Sequence, residues 1–93
     1  MIKENWNINN YQMQARKFAI YPEHMKIVYP ALGLAGEAGE VADKVKKIYR
    51  DGRDDSRFKG EIAQEIGDVL WYCAVLADDL GFSLQQIAEM NIY

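Results

Sequence analysis

Two stretches of the chain, residues 31–50 and 57–80, repeat apolar residues with the spacing of an α-helix. Each stretch also carries two acids that are three residues apart. These acids are Glu37 and Glu40 in the first stretch and Glu65 and Asp68 in the second. Residues three apart lie on one face of a helix, so each pair directs two carboxylates the same way. If the two helices pack together, four carboxylates converge, and this constrains the fold more than any other feature.

The apolar periodicity predicts an all-α fold of four helices in a single domain over residues 1–93, with residues 1–8 as a loose lead-in. The predicted helices cover residues 8–19, 31–50, 57–80 and 84 onward. Gly52 and Gly81 are placed to end the second and third helices. Ser83 with Gln86 forms a capping box for the fourth. The segment between Pro22 and Pro30 is expected to be a short helix or an ordered connector.

The four acids are predicted to bind a metal ion. By helical geometry they flank the apolar seams rather than face open water. Gly36, Gly39 and Gly67 lie beside them, at a cost of about 1 kcal/mol each relative to Ala in a helix. Two carboxylates about 4 Å apart repel by about 4 kcal/mol at an effective dielectric near 20. A divalent cation relieves this repulsion, and ligation by oxygen alone favours Mg²⁺, with Mn²⁺ as an alternative.

The third helix is apolar on more than one side, which predicts a homo-oligomer. Its core stripe is expected to comprise Ile62, Ile66, Val69, Cys73, Leu76 and Leu80. Trp71 and Val75 lie on the opposite side of the helix. Because a domain of 93 residues can rarely bury a helix on every side, the second face is expected to meet another subunit or a ligand.

Charge and composition exclude some classes of function. The net charge of −3 argues against nucleic acid as a partner, because phosphate backbones select basic surfaces. The N-terminus lacks the apolar core of a signal peptide, and no apolar run approaches the roughly 18 residues of a membrane span. The expected location is the cytoplasm, without membrane attachment. The single cysteine allows no intramolecular disulfide.

Residues 32–47 and 61–72 together resemble the MazG-like all-α nucleoside triphosphate pyrophosphohydrolase superfamily. Its hallmark, Glu-x-x-Glu on one helix and Glu-x-x-Asp on the next, matches the four acids named above. The resemblance implies a compact four-helix unit that assembles as a homodimer or homotetramer. It also implies hydrolysis of a nucleoside triphosphate between the α- and β-phosphates, giving a monophosphate and pyrophosphate. Such enzymes clear surplus or non-standard nucleotides from the pool.

The resemblance also implies roles for individual residues. Besides binding metal, Glu37 or Glu40 is the candidate to activate water. Lys44, one helical turn beyond Glu40, is a candidate contact for the phosphate tail, whereas Lys46 and Lys47 are interpreted as solvated.

Substrate contacts are expected from aromatic residues and from the C-terminal helix. Trp71 is predicted to lie in a subunit interface, with stacking on a nucleotide base as the alternative. Asn91 matches an Asn that is common in the superfamily and is followed there by a basic residue three positions on. The sequence stops at Tyr93, before that basic position. Either the chain is truncated, which is expected to weaken phosphate binding, or its terminus differs from that of the superfamily.

Three other functional hypotheses are alternatives to a nucleoside triphosphate pyrophosphohydrolase. A helical interaction or regulatory module would use the acids only for solvation. Phosphoribosyl-ATP pyrophosphohydrolase has similar acidic motifs. A ferritin-like di-iron bundle needs Glu-x-x-His pairs, and neither acidic pair here contains His.

Overall fold

A computed structural model describes residues 5–52 and 57–93, and within these ranges the chain forms helices and no β-strand. The elements are α1 (Ile8–Lys17), a 3₁₀ turn (Glu23–Met25), α2 (Val28–Asp51), α3 (Arg57–Asp79) and α4 (Leu84–Ile92). The all-α, four-helix prediction is confirmed. Residues 53–56 of the polar link predicted at 51–56, and the first four residues of the lead-in, lie outside the described ranges. No helix in the described ranges combines the length and hydropathy needed to cross a bilayer.

Local capping sets most of the helix ends. Gly52 and Gly81 have φ of 67° and 86°, the left-handed conformation that glycine adopts without strain, so both predicted stops are confirmed. The capping box of Ser83 and Gln86 at α4 is also present. A second capping box, Asn7 with Asn10, begins α1 and was not predicted from the sequence. The first helix ends at Lys17 instead of continuing to residue 19.

Helix α2 begins one turn earlier than predicted, directly after a strained turn. Ile27 has φ of 69° and ψ of −52°, and the N–H of Val28 donates to the carbonyl of Lys26 at 2.7 Å. These features define a γ-turn with positive φ, a strained conformation for a β-branched residue that costs of order 1–3 kcal/mol. Pro30 is tolerated in the helix because it falls in the first turn.

Helices α2 and α3 form an antiparallel pair. Three contacts define its register: Ile27 with Asp79, Gly33 with Tyr72, and Glu37 with the group containing Asp68. From one contact to the next, the residue number increases on α2 and decreases on α3, as it does in an antiparallel pair. This register determines which carboxylates of the two helices can meet.

The buried core lies where α1 and α4 cover the C-terminal half of α3. It comprises Ala15, Ala74, Val75, Ala77 and Leu84. Val75 is fully buried within the protomer, so the expectation that another subunit or a ligand covers this side of the third helix is wrong for Val75. Conversely, Ile66 and Leu80 of the predicted stripe are 54% and 50% exposed. The difference arises because α1 supplies a covering surface that the periodicity of α3 alone does not reveal.

A buried glutamine joins three of the helices. The Gln12 amide of α1 donates to the carbonyls of Ala74 and Phe82, each at 3.0 Å. Its carbonyl oxygen accepts from the N–H of Leu84, the first residue of α4, at 3.1 Å. Gln12 therefore satisfies backbone groups at the end of α3 and the start of α4.

Candidate functional site

Three of the four predicted acids come together between α2 and α3. One carboxylate oxygen each from Glu37, Glu65 and Asp68 lies within 4.8 Å of the others. Glu37 and Glu65 are half-buried, whereas Asp68 is exposed. Glu40 is exposed and lies outside this group of oxygens. The predicted convergence of α2 and α3 therefore joins one acid of the first pair with both acids of the second.

The carboxylates repel one another in the absence of a cation. The pKa of Glu37 is raised above its ordinary value, first by partial desolvation and then by the negative charges of Asp68, Glu65 and Glu40. Protonation of Glu37 or binding of a cation would relieve this repulsion. Glu40 contributes to the raised pKa of Glu37, so its negative charge lies near the three clustered carboxylates. Its own oxygens nevertheless lie outside that cluster.

The donor set fits a hard divalent cation. All three donors are carboxylate oxygens, the ligand type that Mg²⁺ and Mn²⁺ prefer. Glu37, Glu65 and Asp68 are therefore the residues that would hold such an ion. Three protein ligands leave positions for water and for substrate oxygens.

A cleft of about 330 Å³ opens beside the carboxylates. It is lined by Glu37, Asp68, Trp71 and Tyr72. The two aromatic rings meet edge to face, with centroids 5.1 Å apart and an interplanar angle of 86°. The predicted candidate Trp71 thus lies in the wall of the cleft, half-buried within the protomer.

Tyr72 is held in this wall by close packing on α2. Its ring lies so near Gly33 that a Cβ at residue 33 would come within 2.1 Å of the tyrosine ring. Burial raises the pKa of Tyr72, as do nearby Tyr29 and Glu37. Gly33 was not singled out from the sequence, since a glycine in a helix does not reveal what packs on it.

Helix α1 brings a further aromatic residue, Tyr11, near the acids. Burial and the negative charge of Asp68 raise the pKa of Tyr11. Trp6, just before α1, packs edge to face on Tyr11 with ring centroids 6.3 Å apart. Neither residue lines the cleft.

The predicted substrate contacts Lys44 and Asn91 do not line the cleft. Lys44 is half-buried on α2, and no ion pair joins it to another residue within 5–52 or 57–93. Lys46 and Lys47 both pair with Asp43, at 3.3 and 3.0 Å, which agrees with their interpretation as surface residues. Asn91 is exposed in the last turn of α4. The roles of Lys44 and Asn91 remain predictions.

The glycines beside the acids have open surroundings. A Cβ added at Gly36, Gly39 or Gly67 would meet no described atom within 4 Å. Contacts within the described part of the protomer therefore do not account for these glycines.

The model of the MazG nucleotide pyrophosphohydrolase domain matches residues 30–92, which include the three clustered acids and the whole cleft lining. The chain belongs to this family. It is also 38% identical over 94 residues to the Gene 37 protein of Mycobacterium phage L5, covering 92% of this chain and 82% of that protein. No solved structure shows significant similarity to the chain.

Proposed function

We propose that this MazG-family protein is a Mg²⁺-dependent pyrophosphohydrolase that cleaves nucleoside triphosphates between the α- and β-phosphates. The observation that carries the proposal is the group of three carboxylates on the edge of an aromatic cleft. Family membership points to hydrolysis of a nucleotide pyrophosphate bond. The carboxylates supply a metal-binding set, and the rings supply flat apolar surfaces of the kind that bind a nucleobase.

Glu37, Glu65 and Asp68 are the proposed metal ligands, with Mn²⁺ as an alternative ion. Bound Mg²⁺ supplies neutralisation of phosphate charge and a lowered pKa for a coordinated water. Glu40 is exposed beside the group, so its carboxylate is free to accept a proton from the attacking water as general base. Of the two candidates from the sequence, Glu40 suits this role better, because Glu37 belongs to the clustered oxygens.

The aromatic wall is proposed to contact the base, and the acids the phosphates. Trp71 and Tyr72 project into the same cleft as Glu37 and Asp68, so one extended ligand can reach both surfaces. Lys44, one helical turn beyond Glu40, is retained as a contact for the distal phosphates. Asn91 is retained as a substrate contact by resemblance alone. The biological role that accords with this chemistry is removal of surplus or non-standard nucleotides from a cytoplasmic pool.

The functional unit is proposed to be a homodimer or homotetramer. Large apolar side chains remain exposed on α3, including Ile66 and Leu70. A second copy would cover such a surface.

The decisive experiment is a screen of standard and modified nucleoside and deoxynucleoside triphosphates with Mg²⁺, with products identified by ³¹P NMR. Pyrophosphate and a nucleoside monophosphate are expected. Glu65→Gln and Asp68→Asn should abolish turnover and weaken Mg²⁺ binding, whereas Glu89→Gln on α4 is a matched control that should change neither. Orthophosphate as the sole product would refute cleavage between the α- and β-phosphates. No product from any nucleotide would favour a non-enzymatic helical module.

A further inference from the structure

The carboxylate of Asp79, the last residue of α3, is fully buried and fully hydrogen-bonded. One oxygen accepts from the Arg16 guanidinium of α1 at 2.5 Å. The other accepts from the Tyr21 hydroxyl at 2.6 Å and from the backbone N–H of Ile27 at 2.9 Å. A single side chain thus joins α1, the segment that follows it and the residue that precedes α2.

The neighbouring Asp78 provides a natural comparison. It also pairs with Arg16, at 2.6 Å, but its side chain is 47% exposed. Its ion pair is with Arg16 of α1, and within the described residues the N–H of Ile27, just before α2, donates to Asp79 and not to Asp78. The two adjacent acids therefore share one cation, and only Asp79 reaches Ile27.

Ile27, whose N–H donates to Asp79, has a strained backbone conformation. Ile27 occupies the γ-turn with φ of 69°, a conformation that a β-branched residue adopts only when its surroundings enforce it. The hydrogen bond from its N–H to Asp79 is one such restraint. A second lies two residues further along, where Tyr29 stacks on Tyr21 with ring centroids 5.0 Å apart.

The contact between Ile27 and Asp79 lies at one end of the α2–α3 pair, and the carboxylate group lies further along. Asp68 and Asp79 are separated by about 16 Å of helix, since each residue adds about 1.5 Å. The packing of Tyr72 on Gly33 falls between these two points. Because helices are stiff along their axes, a shift of α2 by one residue at Ile27 would move Glu37 about 1.5 Å relative to Glu65 and Asp68.

We infer that Asp79 is a positioning residue: by holding the γ-turn at Ile27, it sets the register of α2 against α3 and so the spacing of the carboxylates of Glu37, Glu65 and Asp68. The consequence for metal binding rests on the proposed function. The register itself does not, and it can be read from the protein without a metal.

The test compares Asp79→Asn with Asp78→Asn in the full chain. The first readout is the Hα resonances of Gly33 in the metal-free protein, which are shifted by the ring current of the overlying Tyr72. The second is the affinity for Mn²⁺ alone, measured by calorimetry below the unfolding temperature. Asp79→Asn should move the Gly33 resonances and weaken Mn²⁺ binding by about 10–100-fold, as loss of a supporting contact does at metal sites. Asp78→Asn should leave both readouts near the wild-type values.

A purely structural role predicts a different result. If Asp79→Asn lowers the unfolding temperature but leaves the Gly33 resonances and the Mn²⁺ affinity unchanged, the inference is overturned. If that variant does not fold, Asp79→Glu keeps the charge and displaces the carboxylate by one methylene, and it should shift the same resonances. Unchanged resonances in a folded Asp79→Glu would also overturn the inference. Failure of the wild-type protein to bind Mn²⁺ would instead refute the proposed metal role.

Discussion

The ring of Tyr72 lies directly against Gly33, and no other residue type fits at that position without displacement. A Cβ at residue 33 would approach Cε1 of the ring to 2.1 Å and Cζ to 2.5 Å. Non-bonded carbon atoms pack at about 3.5–4.0 Å, so the ring or the helix would have to move by more than 1 Å. The glycine therefore allows the close approach that places Tyr72 in the wall of the cleft beside Glu37.

Gly33→Ala should destabilise the protein and weaken metal binding. Alanine gains about 1 kcal/mol of helix propensity over glycine. Overpacking typically costs about 1–3 kcal/mol, so a net loss of up to about 2 kcal/mol in the free energy of unfolding is expected. Separation of α2 from α3 should also weaken Mg²⁺ binding. Urea unfolding and calorimetric Mg²⁺ titration measure the two effects.

Gly36→Ala, one turn further along α2, is the matched control for this substitution. No described atom lies within 4 Å of a Cβ at this position, so the helix-propensity gain of roughly 1 kcal/mol should appear in full. If Gly33→Ala stabilised the protein to the same extent as Gly36→Ala, the ring of Tyr72 would not restrict residue 33 to glycine.

Glu40→Gln and Glu37→Gln should separate proton transfer from metal binding. Glu37 belongs to the clustered oxygens and Glu40 does not. Loss of the general base typically lowers kcat by about 10²–10⁴-fold, and this is expected of Glu40→Gln with little change in Mg²⁺ affinity. Glu37→Gln should weaken Mg²⁺ binding directly. Calorimetry with Mg²⁺ alone, combined with steady-state kinetics, distinguishes the two, and a large loss of Mg²⁺ affinity in Glu40→Gln would make it a ligand instead.

Local signals in the sequence predict most of the helices correctly. Gly52 and Gly81 end helices because each adopts positive φ, and Ser83 begins one because its side chain accepts a backbone hydrogen bond. These effects depend on residues close together in the chain. The start of α2 could not be predicted in this way, since Ile27 is held by Asp79, which is 52 residues away.

The sequence predicts which residues form the candidate site, but it predicts only part of their arrangement in space. The spacing of the acids identifies which residues share a helix face, but it does not give the register of two packed helices. Residues three apart point about 60° away from each other around the axis. This rotation allows Glu37 to meet Glu65 and Asp68 while Glu40 lies outside the group.

Acid should destabilise the protein partly through Asp79. Burial alone raises the pKa of this carboxyl, but hydrogen bonds from Ile27, Tyr21 and Arg16 more than offset that effect and hold the pKa below its ordinary value. Such a carboxyl contributes stability above its unfolded pKa, about 3.9, and loses it as pH falls through the lower folded pKa. The free energy of unfolding should therefore decline below about pH 4, with a smaller decline in Asp79→Asn. Urea unfolding at several pH values tests this, and parallel curves for the two proteins would contradict it.

Gln12→Ala should detach the start of α4 from the rest of the bundle. The substitution removes hydrogen bonds to two carbonyls and one N–H, and it leaves the carbonyl of Phe82 and the N–H of Leu84, which lie outside the helical hydrogen-bond pattern, without these partners. Each such group costs about 1–3 kcal/mol unless water reaches it, so a loss of about 2–4 kcal/mol is expected in urea unfolding. Gln14→Ala, at an exposed position of the same helix, should change stability by less than about 0.5 kcal/mol. Similar losses in the two variants would contradict this role for Gln12.

The exposed part of α3 should mediate self-association. Ile66 and Leu70 are 54% and 37% exposed, yet they continue the helical stripe that is buried at Ala74 and Ala77. Helices α1 and α4 cover only the later part of this stripe, so a second copy is expected to cover the earlier part. Light scattering should give the wild-type protein a mass that is a multiple of 10.7 kDa, and Ile66→Lys should shift it towards one protomer. Met90→Lys, which is 65% exposed on α4, is the control, and a wild-type protein that remains monomeric at high concentration would contradict the expected assembly.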